Sequence, residues 1–450
     1  MINPAEVEIL QNALARLSEG FETLPDFETE FDVDATADVL LQVATRMQDN
    51  YPYFHPQYAG QMLKPPHPIA RLAYALSLWI NPNNHALDGG RASSAMEKEC
   101  IVELGEIFGW TRPLGHLTGG GTMANLEALW VAGQLHPGKR VIASDQAHYT
   151  HSRICEVLGI PFTAVRSTRN GRLDMDYLEA LLSEGDVGTV VATIGNTGLG
   201  NVDPLAAILD LHDKYDVRIH ADAAYGGYFG LSDNLGPEAR RAYDRLGEAD
   251  SIVIDPHKHG LQPYGCGCVL FRDPADGRFY KHESPYTYFS SGDLHLGEIS
   301  LECSRPGASA VALWATHRLL PPVKGGEFAQ GLDSCLLAAR DFHDRLSASA
   351  SFVPLMPPEL DIVVYAVQAS DTKSATTRAR SVFELAAEDN LHLALIELPA
   401  ELVGHYVHDM KMNCETVTCL RSVLMKPEHR HWLESIMEIL ERAASRSRTE

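Results

Sequence analysis

The chain's 450 residues exceed what one small core can hold, so two or more domains are expected. Hydrophobic residues at 45% and charged residues at 22% fit a soluble globular protein, while a formal charge of −23 repels nucleic acid and anionic membranes alike. Eight scattered cysteines contain no CxxC pair, which removes zinc-ribbon and thioredoxin-type sites.

The N-terminal run MINPAEVEILQNALARLSEGFETL has acids and amphipathic periodicity where an export signal needs a basic flank and an apolar run. No apolar stretch reaches membrane-spanning length, and a cytoplasmic location is expected. Apolar residues at three- and four-residue steps predict helices over 4–18 and 35–50. The segment 51–68, rich in aromatics, Pro and His, reads as irregular. IARLAYALSLWI (69–80) reads as helix, 81–94 as loop, and MEKECIVELGEIFGW (96–110) as another amphipathic helix.

From Gly115 to Arg272 short apolar strands alternate with helical patterns. The clearest strands are 140–145, 189–195, 218–222 and 251–255, and the clearest helices 123–133 and 204–216. That alternation predicts a largely parallel α/β sheet, whose ligands gather at the carboxyl ends of the strands. After about residue 310 the helix ALWATHRLL, the strand LDIVVYAV, the helix ATTRARSVFELAAEDN, the strand-like VTCLRSVLM and a terminal helix form a smaller α+β unit. No clear linker separates the two.

Four segments can carry chemistry. In LTGGGTMANLEAL (117–129) three glycines precede a helix, so backbone N–H groups and the positive end of the helix dipole can meet a phosphate, although a plain strand–helix turn reads the same way. In HADAAYGGYFG (220–230) Asp222 ends a strand and is followed by small residues. A carboxylate there can hold a protonated ring nitrogen or simply cap a turn. In SDQAHYTHSRICEVLG (144–159) His148 can stack on an aromatic ring; His148 and His151 form an HxxH pair, but no third metal ligand accompanies it. In DPHKHGLQPYGCG (255–267) Lys258 follows the apolar SIVI. A covalent imine with an aldehyde is one use for such an amine, whereas an isolated strand-end lysine more often snorkels to solvent. Together, a phosphate cradle, an acid, a lysine and a flat-ring site satisfy one cofactor, pyridoxal 5′-phosphate.

These segments, with ATIGNTGLGNVDP (192–204), resemble the group II pyridoxal-phosphate-dependent amino-acid decarboxylases of fold type I, which include glutamate, aromatic amino-acid and tyrosine decarboxylases. The resemblance covers roughly residues 50–315 and implies the following roles. Lys258 forms the imine, Asp222 pairs with the ring nitrogen, His148 stacks on the ring and Ala224 lies on its opposite face. Gly121, Thr122 and His257 contact the phosphate, with Asp255 helping indirectly. Thr197 falls where relatives place a contact to the phenolic oxygen or the substrate carboxylate, although Asn196 breaks their G-T-T pattern. Tyr288, with Tyr286 in reserve, would return a proton to the substrate carbon. His55, Tyr58, Asn84, His85 and Arg305 would line the substrate pocket, and no metal is implied.

The resemblance also implies a homodimer with shared active sites. Residues 1–50 would form a helical segment on the partner subunit, 51–315 the large cofactor domain and 316–450 the small C-terminal domain. The expected reaction is decarboxylation of an L-amino acid to the amine, with a tyrosine-like substrate preferred over glutamate or aspartate. Carbon–carbon lysis, decarboxylation with aldehyde formation, transamination, and a non-catalytic dimeric binding protein are the alternatives.

Overall fold

In a computed structural model, which describes residues 3–281 and 300–447, seven strands form the central sheet. They are β1 (Leu114–Thr118), β2 (Arg140–Ser144), β3 (Phe162–Val165), β4 (Val187–Thr193), β5 (Arg218–Asp222), β6 (Ser251–Ile254) and β7 (Gly267–Phe271). Their order is β1-β7-β6-β5-β4-β2-β3, and only β7 runs against the rest. Every residue of β1, β4, β5, β6 and β7 is buried, as strands covered on both faces must be.

The second sheet is antiparallel, in the order β10-β11-β9-β8, from β8 (Phe352–Pro354), β9 (Ile362–Val367), β10 (Ala394–Pro399) and β11 (Thr416–Val423). Strand periodicity divides β9 between two cores. Ile362, Val364 and Ala366 join the core of the large sheet, while Val363, Tyr365 and Val367 pack with Phe342, Val382 and Ile436 from the helices Glu327–Ala348, Thr372–Glu388 and His429–Arg446. The architecture is thus the expected α/β one, a mostly parallel sheet with a smaller α+β unit.

Most expected elements form within a few residues of their predicted bounds. Three differ. Helix Arg91–Ile107 starts inside the segment read as loop, with Gly90 as its N-cap. The 204–216 helix is broken into Leu205–Asp210 and His212–Tyr215. Residue 315 lies inside helix Gly307–Leu319, which packs on helices Pro68–Ser77 and Arg91–Ile107. Near the N-terminus, helices Pro4–Glu19 and Val33–Met47 are capped by the Asn3 and Asp32 side chains. The second of them buries no residue.

Candidate active site

The carboxyl ends of β1, β4, β5 and β6 open on one cavity of about 540 Å³. Its lining includes eight residues expected at the cofactor: Gly121, Thr122, His148, Thr197, Asp222, Ala224, His257 and Lys258. Asp255, expected to help indirectly, lines it too. A larger cleft of about 1000 Å³, near Arg172 and Glu359, contains none of these residues.

The β1–helix turn is tight because its neighbours are close. A methyl group at Gly121 would lie 2.6 Å from an Asp255 carboxylate oxygen, and one at Gly267 would lie 2.5 Å from the Gly120 backbone. Gly120 itself has φ +150°, a conformation side chains disfavour. The turn opens helix Gly121–Leu135, and the N–H of Gly119 donates to both carboxylate oxygens of Glu302, at 3.1 and 2.9 Å. That amide is therefore already placed to hold an anion.

Asp222 ends β5. Its Oδ2 lies 2.8 Å from His151 Nε2, and its Oδ1 accepts from the Ala224 N–H at 3.2 Å. Burial by itself would raise the Asp222 pKa. The His151 hydrogen bond, together with the charges of His151 and Lys258, outweighs that and holds the carboxyl well below the usual range. His148, just before helix Thr150–Leu158 on which His151 lies, bonds Thr150 Oγ1 through Nδ1 at 2.8 Å, and burial lowers its pKa. The HxxH pair is thus divided between an acid and a hydroxyl.

Lys258 follows β6 on the return towards antiparallel β7. Its Nζ lies 3.1 Å from Asp255 Oδ2, which also stands 3.6 Å from His257 Nε2. His257 Nδ1 lies 2.8 Å from the Cys266 carbonyl oxygen, and burial lowers its pKa. Asp255 therefore pairs with the Lys258 amine directly.

Pyridoxal phosphate fits this donor set. Thr193 Oγ1, on the cavity wall, is buried without a hydrogen-bond partner among the described residues and is free to bond a ligand oxygen. The Gly119 amide binds a carboxylate, and Asp222 on the same cavity wall is held as a carboxylate that can meet a cationic ring nitrogen.

Sequence reasoning missed four supporting residues. His151 was weighed only as a metal ligand. His220, whose pKa burial lowers to about 3, bonds Ser251 Oγ at 2.9 Å and Asn125 Oδ1 at 2.8 Å, and Asn125 donates on to the Gly121 carbonyl at 2.9 Å. Arg421 on β11 donates to the Thr197 carbonyl at 2.6 Å and to the Gly198 carbonyl at 3.0 Å, which fixes the 195–198 loop. Only the polar residue types beside the motifs hinted at these contacts. Asn196, where the family motif is broken, turns its side chain to Leu199 N and the Gly171 carbonyl.

The residues expected at the substrate lie elsewhere. Arg305 is buried and binds Glu97 Oε1 at 2.7 Å, the Leu117 carbonyl at 2.7 Å and the Asn84 carbonyl at 2.9 Å. Asn84 is buried in the same network, donating to Glu97 at 2.6 Å. Tyr58 is buried beside His392, with its hydroxyl accepting from Gln61 N. These three are held in packing and lie off this chain's cavity wall. His55, edge-on to Trp432, and half-buried His85 are also absent from this chain's cavity wall. Tyr286 and Tyr288 lie outside the described residues.

Comparison with known proteins agrees with this chemistry. The pyridoxal-dependent decarboxylase conserved domain matches residues 130–368, more than half of the chain. A probable L-tyrosine/L-aspartate decarboxylase of Methanothermobacter thermautotrophicus is 32% identical over 259 residues, 57% of this chain and 69% of that relative. The L-tyrosine decarboxylase of Enterococcus faecium is 25% identical over 79% of this chain and 76% of its own. Oryza sativa TDC, solved with PLP and tryptamine, shares the fold at TM-score 0.80 and 18% identity, covering 99% of both chains. With its lysine, acid and glycine turn on one cavity wall, the chain belongs to the pyridoxal-dependent decarboxylases and is a pyridoxal-phosphate-dependent amino-acid decarboxylase.

Proposed function

We propose that the protein decarboxylates an aromatic, tyrosine-like L-amino acid in preference to aspartate or glutamate, as a cytoplasmic homodimer. The observation that carries the preference is the cavity wall. Lys258 is its only lysine or arginine among the described residues, while Met123, Leu126, Tyr225 and Tyr264 are its apolar and aromatic surface. An acidic side chain needs a cation there; Arg305 is spent on Glu97, and Lys64 donates to the Met425 carbonyl outside this cavity. Relatives are named for both substrates, tyrosine in Enterococcus faecium and, as a probable activity, aspartate in Pyrococcus furiosus.

Pyridoxal phosphate, when bound, supplies an aldehyde for amine exchange and an electron sink for the charge left by CO₂ loss. In this reading the chain's own groups do the rest. Lys258 offers the amine that holds the cofactor and yields to substrate. Asp222, kept ionised by His151, holds a proton on the ring nitrogen. His148 and Ala224 confine the ring between them, and Gly121, Thr122 and His257 hold the phosphate. Thr193, with Thr197 beside it, supplies a hydroxyl to the phenolic oxygen or the substrate carboxylate. Tyr288 returns the proton to the substrate carbon, and His55 and His85 reach the site of the second copy. A division at residues 1–50, 51–315 and 316–450 belongs to the same reading.

The test is an amino-acid panel scored for CO₂, amine, aldehyde and ammonia. Tyrosine or another aromatic substrate giving amine and CO₂ in equal amounts is expected. Aspartate as the best substrate would overturn the preference, and aldehyde with ammonia would overturn simple decarboxylation. Asp222→Ala should fold and lose about a hundredfold or more in kcat.

A further inference from the structure

Three buried side chains meet beside the cavity; the chemistry above uses neither Asp361 nor His259, and of Tyr225 only the ring on the cavity wall. Asp361 Oδ1 accepts from the Tyr225 hydroxyl at 2.5 Å, and Asp361 Oδ2 lies 3.2 Å from His259 Nε2. Tyr225 is 2% exposed, His259 1% and Asp361 0%. The His259 ring stands edge-on to Tyr225 and Phe229, with centroids 4.9 and 4.7 Å away.

Their places in the chain give this cluster its interest. Tyr225 directly follows Ala224, on the turn that leaves Asp222. His259 directly follows Lys258. Asp361 comes from the other sheet, immediately before β9, where its carbonyl accepts from Leu424 N at 2.8 Å. A buried carboxylate persists only where hydrogen bonds and opposite charge compensate it. Burial raises the Asp361 pKa, but His259, the Tyr225 hydroxyl and the charge of Lys64 outweigh it and hold the carboxyl below its ordinary value. Burial pushes the His259 pKa down, against the pull of Asp361. An apolar residue at 361 would fill the same space without these contacts, so the carboxylate serves direction rather than volume.

We propose that Asp361 is a positioning residue. Through Tyr225 and His259 it fixes the two turns that carry Asp222 and Lys258, so the smaller sheet sets the separation of the groups that grip the two ends of the cofactor. The proposal rests on the roles given above to Lys258 and Asp222. A displacement of these turns would act on cofactor affinity and on kcat more than on substrate binding.

The experiment compares wild type with Asp361→Asn, which keeps the shape and removes the charge. Pyridoxal phosphate is titrated into each apoprotein and followed by absorbance, with circular dichroism to verify folding and steady-state kinetics on the best panel substrate. The expected result is a folded variant with cofactor affinity lowered about tenfold, a shifted absorption maximum, kcat reduced about tenfold or more and KM changed less than about threefold. Tyr225→Phe removes one hydroxyl only, and it keeps the question open to test if Asp361→Asn fails to fold. Its effect should be smaller and, where both variants fold, less than additive with Asp361→Asn. A folded variant with wild-type affinity, spectrum and kcat overturns the proposal, even if its melting temperature falls. Wild-type protein that takes up no pyridoxal phosphate would instead overturn the reading of the cavity itself.

Discussion

In the proposed site, His151 decides whether Asp222 meets the cofactor's ring nitrogen as a charged acid. Without its hydrogen bond and charge, burial of Asp222 is opposed less strongly and the carboxyl pKa climbs. His151→Ala is therefore predicted to lower kcat about ten- to a hundredfold and to move the acid limb of the kcat–pH profile to higher pH. An unchanged acid limb would contradict the pairing. Lys426 sets a second residue-scale test, in stability. It is 3% exposed and donates to the Tyr58 carbonyl at 2.7 Å, and burial, with the nearby charge of Lys64, lowers its pKa from 10.5 to about 7. The unfolded chain then holds one more proton than the fold between these two values. Stability from this group accordingly rises with pH from about 7 to about 10.5, by at most about 5 kcal/mol, and is absent below pH 7. Lys426→Met should flatten that rise, stabilising the protein by about 1–3 kcal/mol at pH 6. At pH 9 it should stabilise less or destabilise, as read by urea unfolding at both pH values. Equal pH slopes would refute it.

At the scale of elements, the turn from β1 into helix Gly121–Leu135 is the most sensitive joint. Gly121→Ala drives a methyl into the Asp255 carboxylate that pairs with Lys258, so the variant should fold yet bind cofactor about tenfold more weakly or worse. Equilibrium titration measures this directly. Much of this layer was legible in the sequence. β5 was predicted at its observed bounds, and β2, β4 and β6 within two residues, because a both-faces-buried strand is a short apolar run bounded by turn residues. The motifs could be placed at strand ends for the same reason. What local pattern cannot show is pairing across the chain. Arg305 looked like a substrate cation, but its partner Glu97 lies 208 residues away; Asp361 sits 136 residues from Tyr225. Helix Arg91–Ile107 begins earlier than the pattern predicts, because Asp88-Gly89-Gly90 reads as a turn whereas Gly90 caps the helix. The break between Leu205–Asp210 and His212–Tyr215 has no evident cause in the residues there.

At the scale of the whole molecule, the N-terminal helices are incomplete as they stand. Helix Val33–Met47 buries nothing yet presents Val39, Leu40, Leu41, Val43 and Met47 to solvent, and Phe27 and Phe31 precede it at 83% and 69% exposure. An apolar surface of this kind marks an interface, and a second copy is its proposed cover. Leu40→Asp with Leu41→Asp should convert a dimer to monomer in sedimentation analysis and abolish activity if the sites are shared. Wild-type protein that sediments as a monomer at micromolar concentration would contradict the dimer. The central claim, that Lys258 holds a pyridoxal phosphate whose ring nitrogen faces Asp222, is reached most directly by borohydride reduction followed by peptide mass spectrometry. The account predicts a visible band that borohydride removes and a phosphopyridoxyl tag on Lys258 alone; a tag on another lysine, or a colourless protein after cofactor is supplied, would contradict it.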